Sequence, residues 1–142
     1  MKDRNIILGW LTGIIDGEGC LYGKYSSQSK TTMHLRLTID ASSLRMIDKV
    51  CEILTSYGIN HRKSKRAHKQ KLHHKQSYLV DVDTKQDLLK LLTLITRSLV
   101  VKQAEAQLML DYLLKSCQQS KYKPTEEDLL LVPRLKELKK CV

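Results

Sequence analysis

The sequence lacks the cysteine spacing of a metal-binding or disulfide-rich protein. Its four cysteines, Cys20, Cys51, Cys117 and Cys141, include no C-x-x-C pair. A zinc ribbon needs closely spaced thiolates, and a disulfide framework is typical of short secreted chains rather than of a chain of 142 residues. We therefore expect four reduced thiols in an intracellular protein.

Long apolar runs are also missing. No stretch reaches the roughly 18 uncharged apolar residues that a membrane span needs. Lys2 and Arg4 precede an apolar run over residues 6–15, as in a signal peptide, but Asp16 and Glu18 occupy the positions where small cleavage-site residues belong. The sequence predicts a soluble protein with no membrane partner, in the cytoplasm, the nucleoid or an organelle.

Acidic residues are absent between Glu52 and Asp81, where seven lysines and arginines lie. Over the whole chain 25 Lys and Arg oppose 15 Asp and Glu, which gives a net charge of +10 at pH 7. This surplus predicts a polyanionic partner such as a nucleic acid. Strand patterns on both sides of the basic segment favour a basic hairpin over a disordered charge run.

Apolar periodicity predicts an α+β fold in one domain, 1–142, with a core over about 4–117 and C-terminal helices over about 125–141. Strict alternation over 33–39 predicts a strand with Leu35 and Leu37 on the buried face. The other predicted strands are 20–28, 59–66 and 77–82. Helices are predicted over 6–15, from Ser42 or Ser43 to 57 with Gly58 as the stop, over 85–97 with Thr84 and Asp87 as its capping residues, and over 102–117. Pro133 is expected to divide the C-terminal region into two short helices.

The most informative stretch is Leu11 to Gly19, LTGIIDGEG, at the end of the first helix. Gly9, Gly13 and Gly17 recur once per turn and so share one stripe of the helix. Each costs about 0.5–1 kcal/mol relative to alanine, and the usual gain is that another backbone approaches the stripe closely. Asp16 and Glu18 follow where the apolar run stops. They could merely cap the helix end, but acids at a helix C-terminus face an unfavourable dipole.

These nine residues resemble the LAGLIDADG motif of homing endonucleases. The resemblance implies an αββαββα core whose antiparallel sheet forms a DNA-binding saddle. Because the motif occurs once, it also implies a homodimer that pairs through the motif helices. The implied interface residues are Gly9, Thr12, Gly13 and Asp16.

The resemblance further implies a Mg²⁺-dependent cleavage site. Glu18 matches the last acid of the motif and becomes the metal ligand, with the Gly17 carbonyl as a second oxygen. The commoner acid at this position is aspartate, which is one methylene shorter. Lys102 resembles the family's basic residue near the helix after the second strand pair; the alternative is an ordinary exposed helix lysine. A polar residue that assists the water network would fall at Ile39 or Asp40.

Base recognition is expected from the sheet face opposite the core, since alternate residues of a twisted antiparallel sheet can reach base edges in the major groove. Arg36 and Lys63 suit guanine, and Gln28 suits adenine. The candidate DNA-binding residues are Lys24, Ser26, Gln28, His34, Arg36, Thr38, His61, Lys63, Lys65 and Ser77. His68, His73 and His74 could bind zinc, but no fourth ligand is near, which favours a phosphate-contacting hairpin.

The leading hypothesis is a homodimeric, site-specific DNA endonuclease. One alternative is a non-cleaving protein on the same fold, either an intron RNA maturase or a DNA-binding regulator. A generic basic RNA-binding protein is the remaining possibility.

Overall fold

The computed structural model describes residues 3–26, 28, 30–66 and 76–140. Its elements follow the chain as α1 (Arg4–Glu18), β1 (Gly19–Tyr25), β2 (Met33–Ala41), α2 (Leu44–Ser56), β3 (Arg62–Lys65), β4 (Tyr78–Val82), α3 (Lys85–Ile95), a 3₁₀ turn (Thr96–Ser98), α4 (Gln103–Ser116), α5 (Glu126–Leu129) and α6 (Leu131–Lys140). The predicted α+β order is confirmed. Within the described ranges no helix has the length and apolarity to cross a bilayer.

The strands form one antiparallel sheet in the order β1-β2-β4-β3. Burial alternates along β2, where Leu35, Leu37 and Ile39 are buried and the residues between them are half-exposed. The buried side packs against the helices and joins the main apolar core. We call the other side the open face; on β2 it carries His34, Arg36, Thr38 and Asp40.

Local capping explains three boundaries of the two helices α2 and α3. The Ser43 hydroxyl accepts the Met46 amide at 3.2 Å and starts α2. The Thr84 hydroxyl accepts the Asp87 amide and starts α3. Gly58 follows α2 with a φ of +69°, a conformation that side chains other than glycine rarely adopt. These three sequence predictions are confirmed.

Two strands are shorter than predicted, and one helix break lies elsewhere. The predicted strand 20–28 ends at Tyr25, because the Ser26 amide donates to the Thr32 carbonyl and closes a turn. The predicted strand 59–66 starts only at Arg62. Pro133 lies in the first turn of α6, where its missing N–H is not needed, and the helices divide at Leu130 instead.

The C-terminal region is fixed by one buried carboxylate, Asp128. It accepts hydrogen bonds from the Tyr122 hydroxyl at 2.6 Å and the Thr125 amide at 3.0 Å, and its ion pair with Lys115 is 2.9 Å long. Burial opposes ionisation and is the largest single influence, but the hydrogen bonds together outweigh it and lower the Asp128 pKa from 3.8 to about 2. The charged carboxylate therefore stabilises the fold.

Asp128→Asn should lower the free energy of unfolding by about 2 kcal/mol at pH 7, which is the pKa shift expressed as linkage free energy. A lowered pKa contributes stability above its unfolded value of 3.8, and that stability is lost as pH falls through about 2. Urea unfolding at several pH values should thus show the two proteins converging in acid. Glu126→Gln, at an exposed acid of the same turn, should change little; a pH-independent difference for Asp128→Asn would contradict the linkage.

Candidate functional site

The Asp16 carboxylate joins the end of α1 to the start of α4. Its two oxygens accept the amides of Val100 at 2.8 Å, Val101 at 2.9 Å and Lys102 at 3.0 Å. These three amides belong to the residues immediately before α4, which has no side-chain cap of its own. A carboxylate 84–86 residues earlier in the chain thus holds the segment that leads into the helix. This contact fixes where α4 begins relative to the motif.

Lys102 is brought to the end of α1 by the same contact. Its ammonium group donates to the main-chain carbonyl of Asp16 in a short hydrogen bond. The side chain is half-buried, so its position is constrained. The structure thus places Lys102 beside the motif residues, as the resemblance implied, although the two segments are far apart in sequence.

Glu18, the last residue of α1, is exposed, and its side chain makes no hydrogen bond or ion pair with any residue that the structure describes. Gly17 is exposed beside it. Carbonyl groups in the last turn of a helix lack intrahelical partners, so both residues offer oxygens to solvent. The described residues contain no group of three His, Cys, Asp or Glu side chains that could hold a metal ion.

Glu105 is a nearby acid that the sequence did not single out. It lies in the first turn of α4, one turn after Lys102, and is only 6% exposed. Burial raises the pKa of its carboxyl, and the positive charges of Lys139 and Lys102 partly offset this effect. Acids are common in the first turn of a helix, so the sequence gives no sign that Glu105 differs from the others. Its burial, which the structure shows, is what sets it apart.

The open face of the sheet carries four of the predicted DNA-binding residues on the two paired strands β1 and β2. Residues directly opposite each other share a face, and Lys24 pairs with His34 while Cys20 pairs with Thr38. The Thr38 hydroxyl donates to Asp81 at 2.7 Å. Lys24, His34, Arg36 and Thr38 lie on this face.

Ser26, Gln28, His61 and Ser77 lie outside the strands. Ser26 and Gln28 are exposed in the turn after β1. His61 precedes β3, and its Nδ1 lies 2.9 Å from the Ile59 carbonyl. Ser77 extends the pairing of β4, since its carbonyl accepts the Arg66 amide. The histidines 68, 73 and 74 of the zinc alternative fall outside the described residues.

The predicted face of Lys63 and Lys65 is wrong. Lys63 pairs with the buried Val80 and Lys65 with Tyr78, so both point to the helix side of the sheet. Lys63 donates to Asp48 of α2 at 2.5 Å, and this hydrogen bond is the main cause that raises its pKa. All four residues of β3 are exposed, so hydropathy carried no information about which face each one occupies.

The neighbouring residues Arg62, Ser64 and Arg66 take the open face instead. Arg62 forms an ion pair with Asp83, which also lies 3.7 Å from the His34 ring. Arg66 forms an ion pair with Asp40. A signal was available in the sequence, because acids at alternate positions of the adjacent strands match these arginines in charge. Asp40 also shares this face, whereas Ile39 is buried and cannot position water there.

The predicted dimer residues of α1 divide into two pairs. Gly9 and Gly13 are exposed, and a Cβ added to either would meet no heavy atom within 4 Å. Thr12 is only 4% exposed and its hydroxyl donates to the Leu8 carbonyl, while the Asp16 carboxylate is occupied within its own chain. The interface assignment is therefore corrected for Thr12 and Asp16, because the helical period turns them towards the core and α4.

Gly19 has a different reason to be glycine. A Cβ at this position would lie 2.5 Å from the Ile15 carbonyl oxygen and 3.1 Å from the Ile15 Cα, both of them backbone atoms. The Gly19 amide also closes α1 by donating to that same carbonyl. The junction that positions Glu18 therefore excludes any side chain.

Gly19→Ala should destabilise the protein by about 1–3 kcal/mol, since the clash is with backbone that cannot rotate away. Gly9→Ala is the matched control, because its Cβ would enter open space and alanine favours a helix. Urea unfolding of dilute protein measures both. Equal stability of Gly19→Ala and the unmodified protein would show that the junction is not tight.

Comparisons with known proteins identify the fold. The homing endonuclease I-CvuI, crystallised with the I-CreI target and 2 mM Mg with the DNA not cleaved, is 18% identical with a TM-score of 0.68, over 94% of this chain and 82% of that chain. An archaeal intron-encoded homing endonuclease complexed with DNA is also 18% identical with a TM-score of 0.68, over 97% of this chain and 85% of that chain. No curated protein matches the chain by sequence.

A longer protein contains the same fold. The LAGLIDADG meganuclease I-AabMI, bound to uncleaved DNA, is 19% identical with a TM-score of 0.61, and the match covers 91% of this chain but 43% of that chain. The profile of the LAGLIDADG-like domain matches residues 5–105, well over half of the sequence. The resemblance read from Leu11 to Gly19 is confirmed, and the chain belongs to the LAGLIDADG family.

Proposed function

We propose that the protein is a homodimeric, Mg²⁺-dependent endonuclease that makes a double-strand break in a long, roughly palindromic DNA target. The observation that carries this proposal is the bracing of α4 by Asp16, which sets the Lys102 ammonium on the Asp16 carbonyl, two residues before the unpaired Glu18. A free acid and a held cation at one exposed helix end suit phosphodiester hydrolysis. The DNA complexes of proteins with this fold support the same substrate.

The oxygens at the end of α1 fit a hard cation such as Mg²⁺, which prefers carboxylate, carbonyl and water ligands. Glu18 would hold the ion, with the Gly17 carbonyl as a second oxygen. When bound, Mg²⁺ supplies an activated water and offsets charge on the attacked phosphate. Lys102 would stabilise negative charge on that phosphate, and its hydrogen bond to the Asp16 carbonyl keeps the ammonium in place.

A second copy of the chain would complete the site. One acid per chain is few for metal-assisted cleavage, and the exposed glycine stripe of α1 leaves room for another backbone. Ile6, 70% exposed, and Trp10, 39% exposed, add apolar surface on the same side of the helix. A two-fold dimer presents each half of the target with the same surface, which is why the target is expected to be nearly palindromic.

The open face would contact the DNA. Lys24, His34, Arg36 and Thr38 keep the roles that the sequence suggested, and Arg62 and Arg66 replace Lys63 and Lys65. Both arginines are exposed and bonded to acids, and DNA phosphates can compete for exposed ion pairs. Ser26, Gln28, His61 and Ser77 lie at the ends of the strands, where they would reach the flanks of each half-site. The alternative partner, intron RNA, has no support from the comparisons.

Glu18→Gln should reduce the cleavage rate at least about 100-fold, equivalent to about 3 kcal/mol of transition-state stabilisation, with DNA binding unchanged. The substrate is a duplex assembled from the DNA on either side of the protein's reading frame, with added Mg²⁺. Glu127→Gln, at an exposed acid of α5, is the control. Undiminished cutting by Glu18→Gln would refute the catalytic assignment, and binding without any break by the unmodified protein would favour a non-cleaving regulator.

Gly13→Leu should weaken dimerisation by about ten- to a hundredfold, because overpacking a close contact costs about 1–3 kcal/mol. Light scattering after size exclusion, over a range of protein concentrations, measures the change. Leu114→Ala, at a 47% exposed leucine of α4, serves as the control. A Gly13→Leu protein that remains a dimer at the same concentrations would exclude α1 as the interface.

A further inference from the structure

Helix α6 packs along the edge strand β1, outside the segment that matches the family profile. Gly23 lies at this contact: a Cβ there would lie 2.8 Å from the Leu35 side chain and 3.6 Å, an ordinary contact distance, from Val132 and Leu135 of α6. The last turn of α6 reaches the open face. The Lys139 ammonium there lies 3.5 Å from the Cys20 sulfur and 5.8 Å from the centre of the Tyr22 ring.

The Tyr22 ring also contacts a second cation, Arg36. It pairs with Arg36 across the strands, and the Arg36 guanidinium carbon lies 5.3 Å from the centre of the ring. Such contacts hold a cation over an aromatic ring without neutralising its charge. The Arg36 Nε is buried and has no hydrogen-bond partner among the described residues. The ring thus fixes two positive groups, one from the sheet and one from α6, in one small region.

Neither cation has an acidic partner among the residues that the structure describes. Arg62, Arg66 and Lys63 each have a carboxylate partner, but Lys139 and Arg36 have no ion pair with a described residue. The positive charge of Lys139 acts to lower the pKa of the buried Glu105, but no hydrogen bond or ion pair joins these two residues. A half-exposed ammonium with free donors, held at the edge of a basic surface, is suited to a phosphate oxygen.

We propose that Lys139 binds a backbone phosphate of the DNA, so that α6 is part of the DNA-binding surface and Tyr22 sets the distance between this phosphate contact and Arg36. This inference rests on the proposed function, since it requires duplex binding to the open face. It assigns the two cations different roles. Lys139 supplies affinity for any sequence, whereas Arg36 reads a base.

Binding of a mixed-sequence 30-base-pair duplex at increasing salt tests the phosphate contact. Lys139→Gln should reduce the slope of log Kd against log salt by about one, equivalent to about three- to fourfold less loss of affinity between 50 and 200 mM salt. Lys136→Gln, at an exposed lysine of the same helix, should leave the slope unchanged. An unchanged slope for Lys139→Gln, or an equal reduction for Lys136→Gln, would overturn the proposal.

Arg36→Gln provides the contrast in sequence dependence. It should weaken binding to the duplex built from the flanking DNA more than binding to the mixed-sequence duplex, while Lys139→Gln should weaken both equally. A sequence-dependent effect of Lys139→Gln would contradict the phosphate role. Urea unfolding of each variant distinguishes these effects from a loss of packing between α6 and β1.

Alkylation of Cys20 tests the location without any substitution. Iodoacetamide should modify this exposed thiol more slowly when the mixed-sequence duplex is bound, while the rate at Cys117, at the end of α4, stays the same. Peptide mass spectrometry resolves the two sites. Equal rates at Cys20 with and without bound duplex would place the DNA elsewhere. Failure of the unmodified protein to bind any duplex would overturn the proposed function too, whereas binding with an unaffected Cys20 would overturn this inference alone.

Discussion

The three hydrogen bonds from Asp16 to the amides before α4 are the contact on which the candidate site depends. A carboxylate that accepts several amides is strongly oriented, and helix termini favour negative charge at the amino end. The same contact sets the Lys102 ammonium on the Asp16 carbonyl. The Asp16 carboxylate is bonded to amides of its own chain, whereas the Glu18 carboxylate, two residues later, has no partner among the described residues.

The charge that the sheet exposes depends on which of its basic residues are paired with acids, and not only on how many basic residues it has. The net charge of +10 shows a basic protein, but several of its arginines and lysines are bonded to acids. On the helix side of the sheet, Lys63 is bonded to Asp48 of α2. On the open face, Lys24 and Arg36 have no ion pair with a residue that the structure describes. The positive charge available to a partner on this face is therefore smaller than its count of basic residues implies.

The glycines of the motif serve two different physical ends. Gly9 and Gly13 border open space, so a Cβ at either position would meet no heavy atom within 4 Å. Gly19 borders its own backbone and would clash internally. Gly23 lies where α6 packs on β1, and a Cβ there would crowd the Leu35 side chain of β2 rather than α6. Sequence periodicity placed Gly9 and Gly13 on one stripe of the helix. It could not show that this stripe is exposed, or that Gly19 lies against the backbone of Ile15.

The sequence by itself determined the order of helices and strands, the caps at Ser43 and Thr84, and the buried face of β2, because each depends on local periodicity or on one hydrogen bond between neighbours. It also located Glu18 at a helix end. Only the tertiary structure decided the face of β3, the partners of Asp16 and the burial of Glu105. The physical reason is that β3 has no buried residue to mark its inner face, and the amides that Asp16 accepts lie 84–86 residues away. Hydrogen bonds between such distant residues depend on which amides and carboxylates the folded chain brings together, and local sequence patterns do not show this.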